Sequence, residues 1–172
     1  TYSINAESDY RAENAEFFSD RVEYDLNGKH VVFHIPGGFS VYNSLCAIGA
    51  VCSLGFDLND VINAVAGAAT VKGRLELLKT NTDYGVIIDY AHTPDAVENV
   101  LKTINEIVAA NAGKQTQAAQ VITVVGCGGN RDKGKRPIMA RIAFENSTQL
   151  ILTSDNPRDE EPHAILQDMA AG

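Results

Sequence analysis

The sequence predicts an α/β protein whose C-terminal part is a parallel sheet with crossover helices. Two observations carry this prediction. Residues 121–125 (VITVV) are an apolar, largely β-branched run that leads into a glycine-rich loop, as buried strands of parallel sheets do. Strand-like and helical patterns also alternate as βαβαβα between residues 85 and 171, and this order requires parallel strands joined by helices.

A β-hairpin is the clearest feature of the N-terminal part. Residues 22–26 and 29–35 have the composition of strands, and Asn27-Gly28 between them is a two-residue turn signal. His30 and His34 would share one face of the second strand. Because no third ligand accompanies them, a structural role is favoured over zinc binding.

Two helices are predicted after the hairpin. Apolar residues at helical spacing indicate a first helix that Ser40 or Asn43 caps and Gly55 ends. Asn59 or Asp60 would open a shorter second helix. This N-terminal part of the chain therefore has an α+β character, in contrast to the alternating pattern of the C-terminal part.

A domain boundary is predicted where the pattern changes, at residues 71–74 (VKGR). It divides the chain into residues 1–72 and residues 73–172. The second domain contains the predicted parallel sheet, with strands at 85–90, 121–125 and 149–153. Proline stands in the first turn of each of its three helices, at positions 94, 137 and 162, where a missing N–H costs nothing.

Polar clusters follow the three predicted parallel strands. They are residues 89–92 (DYAH), 126–136 (GCGGNRDKGKR) and 154–158 (SDNPR). Because the carboxyl ends of parallel strands meet at one edge of a sheet, and ligands bind there, we expect the three clusters to converge. The sequence therefore predicts a ligand site at this edge.

The middle cluster carries four basic side chains, at Arg131, Lys133, Lys135 and Arg136. Residues 129–135 match the beginning of the phosphate-binding GxxxxGK loop, but Arg136 stands where that loop requires a Ser or Thr for magnesium. A true P-loop is therefore excluded. A looser pocket for a small anion is favoured over a merely solvated turn.

Other side chains at the strand ends leave two interpretations open. Asp89 could bind a ribose hydroxyl or cap the following helix, and His92 could contact a phosphate or pack in a turn. Arg131 and Arg158 suit bidentate pairing with carboxylates, or they form ordinary surface ion pairs. Cys127 lies among basic residues that could lower its pKa, although an unreactive thiol is favoured.

Composition excludes several classes of function. The net charge of −8 argues against nonspecific nucleic-acid binding. No apolar run reaches the length of a membrane span, and the first residues lack a signal peptide. The three cysteines, at 46, 52 and 127, match no zinc ligand set. We expect a cytoplasmic protein that binds neither nucleic acid nor membrane, while its oligomeric state is open.

Five motifs together carry a resemblance to a known family. Residues 89–101 (DYAHTPDAVENVL), 126–137 (GCGGNRDKGKRP) and 153–162 (TSDNPRDEEP) resemble the Mur ligases. Residues 37–43 (GGFSVYN) and 73–76 (GRLE) fit the same family in the expected order. The resemblance covers nearly the whole chain after its first twenty residues.

The resemblance implies a fragment of an ATP-dependent amide ligase. In that family, ATP phosphorylates the terminal carboxylate of UDP-MurNAc-L-Ala-D-Glu, and the amine of a diamino acid then displaces phosphate. Mg²⁺ and cationic side chains stabilise the transferring phosphoryl group. Residues 1–72 would be the C-terminal portion of the central ATP-binding domain. Residues 73–172 would begin the Rossmann-like, amino-acid-binding C-terminal domain, with an incomplete βαβαβα sheet.

The resemblance also implies roles for nucleotide-binding residues. Asn43 would lie beside the adenine, although Ser40 replaces an earlier asparagine of the family pattern. Arg74 would reach the nucleotide from the hinge, Asp89 would bind the ribose, and His92 would lie near the terminal phosphates. The phosphate-binding loop, the magnesium ligands and the UDP-sugar domain would lie outside the chain. We therefore expect the chain alone to be inactive.

The incoming amino acid would be held by Arg131, Asp155, Asn156 and Arg158. The DNPR sequence, residues 155–158, is the form associated with meso-diaminopimelate, whose additional carboxylate needs a cation that L-lysine does not. Arg158 is thus the predicted specificity residue. Three alternatives stay open: an L-lysine-adding relative, a folylpolyglutamate-type ligase, and a non-catalytic module that holds an amino acid or nucleotide.

Overall fold

The chain divides into two compact units, Thr1–Tyr90 and Ala91–Gly172. The computed structural model describes residues 1–18, 20–68, 71–78, 80–82, 84–111 and 119–172. The domain boundary expected between residues 72 and 73 stays a prediction from the sequence pattern.

A four-stranded sheet forms the first part of the N-terminal unit. In spatial order its strands are β1 (Tyr2–Ser3), β2 (Tyr10–Phe17), β3 (Val22–Leu26) and β4 (Lys29–Phe33). β1 runs parallel to β2, and the other neighbours are antiparallel. The predicted hairpin is confirmed in β3 and β4. Asn27 and Gly28 have φ angles of 50° and 73°, as a two-residue turn with both central residues at positive φ requires.

Two helices, α1 (Gly38–Ser53) and α2 (Leu58–Ala66), pack against this sheet. The predicted cap of α1 is wrong, because Gly37 precedes the helix without a side-chain cap. Ser40 lies inside α1 and donates to the carbonyl of Pro36 at 2.8 Å. Gly55, at φ 94°, follows the end of α1 as predicted.

Asp57, which precedes the predicted position, caps α2. Its carboxylate accepts hydrogen bonds from the backbone amides of Asn59 and Asp60, the two residues that the sequence pattern favoured as caps. An N-terminal carboxylate is favourable there because it satisfies amides that have no partner within the helix. The core between the sheet and the two helices consists of Ala12, Val22, Tyr24, Leu26, Val31, Val41, Leu45, Ile48, Val61 and Ile62.

A separate pair of antiparallel strands, β5 (Glu76–Leu78) and β6 (Val86–Ile88), completes the first unit. The sequence pattern placed β6 in the parallel sheet and did not predict β5. In the described part of the chain β6 instead pairs with β5. The reason is local, since the three residues of β5 lie close enough along the chain to fold back onto β6.

The second unit contains two of the three predicted parallel strands. β7 (Ile122–Cys127) and β8 (Gln149–Ser154) pair in parallel and are joined through α4 (Lys135–Glu145). α3 (Pro94–Asn111) precedes this pair and α5 (Pro162–Ala170) follows it. These elements confirm the predicted mixed α/β class, and α4 begins two residues before Pro137.

One face of β7 and β8 is covered by helices and the other is exposed. Val125 and Cys127 of β7 and Leu150 and Leu152 of β8 face the helices. The buried core of this unit consists of Val97, Leu101, Val121, Cys127, Met139, Ala140, Ala143, Ile165 and Met169. Across the described part of the chain, no helix combines the length and the apolar character that a membrane span needs.

Candidate functional site

The candidate site lies at the carboxyl ends of β7 and β8, where two loops are joined by hydrogen bonds. The glycine loop (residues 128–134) follows β7, and the DNPR loop (residues 155–158) follows β8. The amide of Gly129 donates to the carbonyl of Asn156 at 2.9 Å. Nη1 of Arg158 donates to the carbonyl of Gly129 at 2.7 Å. The two clusters that were predicted to converge at these strands therefore do so.

The third predicted cluster, residues 89–92, is divided between the two units. Asp89 and Tyr90 belong to the first unit, while His92 belongs to the second. The carbonyl of His92 accepts a hydrogen bond from Nζ of Lys135 at 2.7 Å. The start of α4 is thereby tied to the segment that precedes α3.

Close backbone packing explains the paired glycines of the glycine loop. A Cβ atom on Gly129 would lie 1.8 Å from the carbonyl oxygen of Pro157, which leaves no room for a side chain. A Cβ atom on Gly128 would lie 2.8 Å from Nη1 of Arg158. The absence of side chains at both positions lets the two loops touch and leaves space for the guanidinium group.

The four predicted amino-acid-binding residues all lie on these two loops. Arg158 is exposed and has a positive φ of 50°, and its amide donates to Oδ1 of Asn156 at 3.2 Å. Asp155 is exposed beside Gly126. Arg131 is exposed, and it makes no hydrogen bond or ion pair within the part of the chain that the structure describes.

The prediction that Arg136 contributes to an anion pocket is wrong, because this side chain is fully buried. Its Nη1 donates to Asp168 at 2.8 Å and to Glu160 at 3.0 Å. Its Nη2 donates to Glu160 at 2.9 Å and to the carbonyl of Gly128 at 3.2 Å. A buried guanidinium group requires such neutralising partners, so Arg136 is part of the scaffold and is not available to an external anion.

Glu160 was missed by the sequence analysis and lies at the centre of this network. The hydrogen bond from Arg136, then those from the backbone of Asn130 and from Lys133, hold the pKa of Glu160 at about 2. The same carboxylate raises the pKa of Arg136 against the opposing effect of burial. The acidic run that comes after the DNPR loop could have indicated such a partner.

Two further basic residues of the glycine loop region are also engaged. Lys133 forms an ion pair with Glu160 at 3.1 Å, and Lys135 binds the carbonyl of His92. The predicted four-cation pocket is therefore reduced to Arg131 among these residues. Cys127 is 3% exposed, and burial raises its pKa more than Lys135 and Arg136 lower it. The preference for an unreactive thiol agrees with this environment.

Two of the predicted nucleotide-binding residues lie near each other in the first unit. The carboxylate of Asp89 accepts a hydrogen bond from the amide of Leu75 at 2.7 Å. Beside Leu75, the guanidinium carbon of Arg74 lies 4.7 Å from the ring centroid of Tyr90. Asn43 is exposed on α1. The alternative role of Asp89 as a helix cap is not observed.

The cap of α3 is instead Thr93, whose hydroxyl oxygen accepts from the amide of Ala96 at 3.3 Å. His30 also has a local explanation, because it lies between Asp25 and Glu23 at 3.3 Å from each. Its pKa is raised, chiefly by the hydrogen bond with Asp25. Among the described residues, no group of three or more His, Cys, Asp or Glu side chains is placed to hold a metal ion.

Comparison with known proteins decides the family. The sequence profile described as "Mur ligase, glutamate ligase domain" matches residues 73–172, more than half of the chain. The chain belongs to the Mur ligase family. Four of the five motifs on which the sequence resemblance depended lie within the matched residues.

Curated relatives match the chain over its whole length. A UDP-N-acetylmuramoyl-L-alanyl-D-glutamate--2,6-diaminopimelate ligase from Parabacteroides distasonis is 44% identical over 172 residues, which are 100% of this chain and 34% of the relative. A ligase of the same name from Halalkalibacterium halodurans is 43% identical over 176 residues, with the same two coverages. This Mur ligase chain thus spans about a third of the length of the curated relatives it matches.

Solved Mur ligase structures share the fold. A structure of a ligase with the same name is 34% identical, has a TM-score of 0.58, and is matched over 100% of this chain and 34% of its own. A UDP-N-acetylmuramate-alanine ligase from Thermotoga maritima has a TM-score of 0.70 at 24% identity, over 99% of this chain and 37% of its own. The latter likeness supports the fold alone.

Proposed function

We propose that this chain is part of an ATP-dependent ligase that adds meso-diaminopimelate to UDP-MurNAc-L-Ala-D-Glu through an acyl phosphate. The family membership and the names of the relatives support the reaction class. The DNPR loop supports meso-diaminopimelate as the amino acid that is added. Its arginine, Arg158, is held at the ligand edge of a parallel strand pair by a hydrogen bond to the carbonyl of Gly129. That contact is the observation on which the proposed specificity depends.

The β7–β8 edge serves as the acceptor side in this proposal. The guanidinium groups of Arg131 and Arg158 each offer paired N–H donors that match a carboxylate. The carboxylate of Asp155 suits an ammonium group, and Asn156 offers an amide. L-Lysine lacks the additional carboxylate of diaminopimelate, so Arg158 would bind the latter substrate and gain nothing from the former.

We assign ATP binding to Asn43, Arg74, Asp89 and His92. One carboxylate oxygen of Asp89 accepts from Leu75, and the other would accept from a ribose hydroxyl. Arg74 supplies a cation above the ring of Tyr90. A carboxylate is a poor acyl donor until ATP converts its oxygen into a phosphate leaving group.

Mg²⁺ is expected to accompany ATP, since it bridges phosphate oxygens in phosphoryl transfer. The described residues do not form a carboxylate set that fits this ion, so we assign none of them to it. A cytoplasmic location is part of the proposal, because ATP and the UDP-linked precursor are cytoplasmic substrates.

The test uses a protein that contains this chain and has the full length of the curated relatives. We call it the full-length protein. With ATP, Mg²⁺ and UDP-MurNAc-L-Ala-D-Glu, we expect phosphate release and ligated product with meso-diaminopimelate. L-Lysine and L-glutamate are the comparison acceptors, and the 172-residue chain alone is expected to yield no product. Better turnover of L-lysine would contradict the specificity, and binding without product would favour a non-catalytic module.

A further inference from the structure

Arg136 contacts the glycine loop and the segment just beyond the DNPR loop, both from the buried side of the candidate site. Its guanidinium group binds the carbonyl of Gly128 at 3.2 Å in the glycine loop. It also binds both carboxylate oxygens of Glu160, at 2.9 and 3.0 Å, just beyond the DNPR loop. A single planar side chain therefore joins the two segments that carry the exposed arginines.

We infer that Arg136, acting through Glu160, is a positioning residue that fixes Arg131 and Arg158 for binding of the diamino acid. This inference rests on the proposed function. Arg136 has no access to solvent, so any effect it has on substrate must act through its neighbours. Neither the family match nor the names of the relatives assign it this role.

The connection to Arg131 passes through one backbone amide. Oε1 of Glu160 accepts a hydrogen bond from the amide of Asn130 at 2.5 Å. The side chain of Asn130 also donates to Asp159 at 2.9 Å, and its φ is 50°. Because Arg131 is the next residue, the direction in which its side chain leaves the loop depends on this anchored amide.

The connection to Arg158 passes through a turn. The amide of Glu160 donates to the carbonyl of Pro157 at 3.0 Å, which closes a turn around Arg158. The guanidinium group of Arg158 in turn binds Gly129, the neighbour of the residue that Arg136 holds. Displacing Glu160 would therefore disturb both the turn and the carbonyl to which Arg158 is bonded.

The side chain at position 136 has to be arginine for this arrangement. A guanidinium group offers donors in a rigid fork that can reach two carboxylates and a carbonyl at once, whereas lysine is a flexible point charge. A buried ion pair is by itself a weak source of net stability. Its fixed geometry is therefore the property to test.

The network contains a matched pair of variants for this purpose. Glu160→Gln keeps the size of the side chain but removes the charge that binds Arg136 and the Asn130 amide. Asp168→Asn makes the same chemical change on α5, and Asp168 has no hydrogen bond to either loop among the described contacts. Arg136→Lys is a third variant that keeps the positive charge and loses the fork.

The experiment measures KM for each substrate and kcat in the full-length protein. For Glu160→Gln and Arg136→Lys we expect KM for meso-diaminopimelate to rise about tenfold or more, as small misplacements of binding groups do. KM for ATP and for UDP-MurNAc-L-Ala-D-Glu is expected to change less than about twofold. Asp168→Asn is expected to leave all three KM values within about twofold, even if its melting temperature falls.

Each result distinguishes the possibilities. An unchanged KM for diaminopimelate in folded Glu160→Gln and Arg136→Lys would overturn the inference while the wild-type reaction stands. An equal rise in Asp168→Asn, or equal rises for all three substrates, would show a general loss of packing and would also overturn it. If the wild-type full-length protein ligates no diamino acid, the proposed function fails, and that failure is seen before any variant is made.

Discussion

Arg158 donates a hydrogen bond from Nη1 to the carbonyl oxygen of Gly129 at 2.7 Å. This contact joins the loops that follow two parallel strands. The guanidinium group lies beside Gly128, where the absence of a side chain leaves room for it. A Cβ atom on Gly128 would approach the same nitrogen to 2.8 Å. Position 128 therefore controls where Arg158 can lie.

Replacing the two adjacent glycines is expected to have different consequences. In Gly128→Ala the new methyl group meets the end of a flexible side chain, so Arg158 moves and the free energy of unfolding changes by less than about 1 kcal/mol. In Gly129→Ala it meets the backbone of Pro157 at 1.8 Å, and overpacking of this kind costs about 2–3 kcal/mol.

Urea unfolding followed by circular dichroism would measure both changes, since the chain has no tryptophan for fluorescence. In the full-length Gly128→Ala protein we expect a raised KM for diaminopimelate together with near-wild-type stability. Equal destabilisation of the two variants would contradict the close packing that distinguishes Gly129.

Removing the guanidinium group with Arg158→Ala is expected to weaken diaminopimelate binding selectively. Loss of a charge-assisted carboxylate pair costs about 2–3 kcal/mol, which is a rise of about 30-fold to 150-fold in KM. KM for ATP is expected to stay near the wild-type value. Steady-state kinetics of the full-length protein would measure both, with Arg141→Ala, an exposed arginine on α4, as the control.

The acid stability of the chain is expected to depend on Glu160. Its pKa is about 2 in the folded chain against an ordinary value of 4.5, so the ionised carboxylate stabilises the fold. This contribution is complete above about pH 4.5, and it is lost as the pH falls through the folded pKa. Urea midpoints measured between about pH 6 and pH 3 are expected to fall less in Glu160→Gln than in wild type, and parallel curves would refute the assignment.

Removing the charge of Arg136 and of Arg131 is expected to change the free energy of unfolding by different amounts, because the first arginine is buried and the second is exposed. Arg136→Met leaves two carboxylates without their buried partner, and removal of one member of a buried pair costs about 3 kcal/mol. Arg131→Met, at an exposed position, is expected to change stability by about 0.5 kcal/mol or less. A stable Arg136→Met chain would mean that Glu160 and Asp168 are satisfied in another way.

The elements that the sequence predicted correctly are those that local chemistry determines. Asn27-Gly28 requires a particular turn, and the βαβ order requires that β7 and β8 run parallel, although Ile122 and Val124 of the apolar run are exposed, at 55% and 62%, where burial was expected. β5 was missed because a strand of three residues, Glu76–Leu78, carries too little pattern. Its pairing with β6 depends on a partner several residues away.

The candidate site was predicted in part for the same reason. The convergence of the loops after β7 and β8 follows from parallel topology, which the βαβ order of the sequence indicates. The burial of Arg136 does not, because its partners Glu160 and Asp168 lie 24 and 32 residues away along the chain. A basic residue in a loop looks the same in sequence whether its side chain points to solvent or to a distant carboxylate.

The contact between Gly129 and Pro157 separates one fixed position of the candidate site from several adjustable positions on its two loops. A Cβ atom at position 129 cannot be accommodated without moving backbone, whereas substitutions at positions 128, 131 and 158 chiefly affect side chains that can rearrange. Directed evolution toward another acceptor amino acid is thus best confined to those three positions. A library that also varied position 129 would lose most of its members to misfolding before selection began.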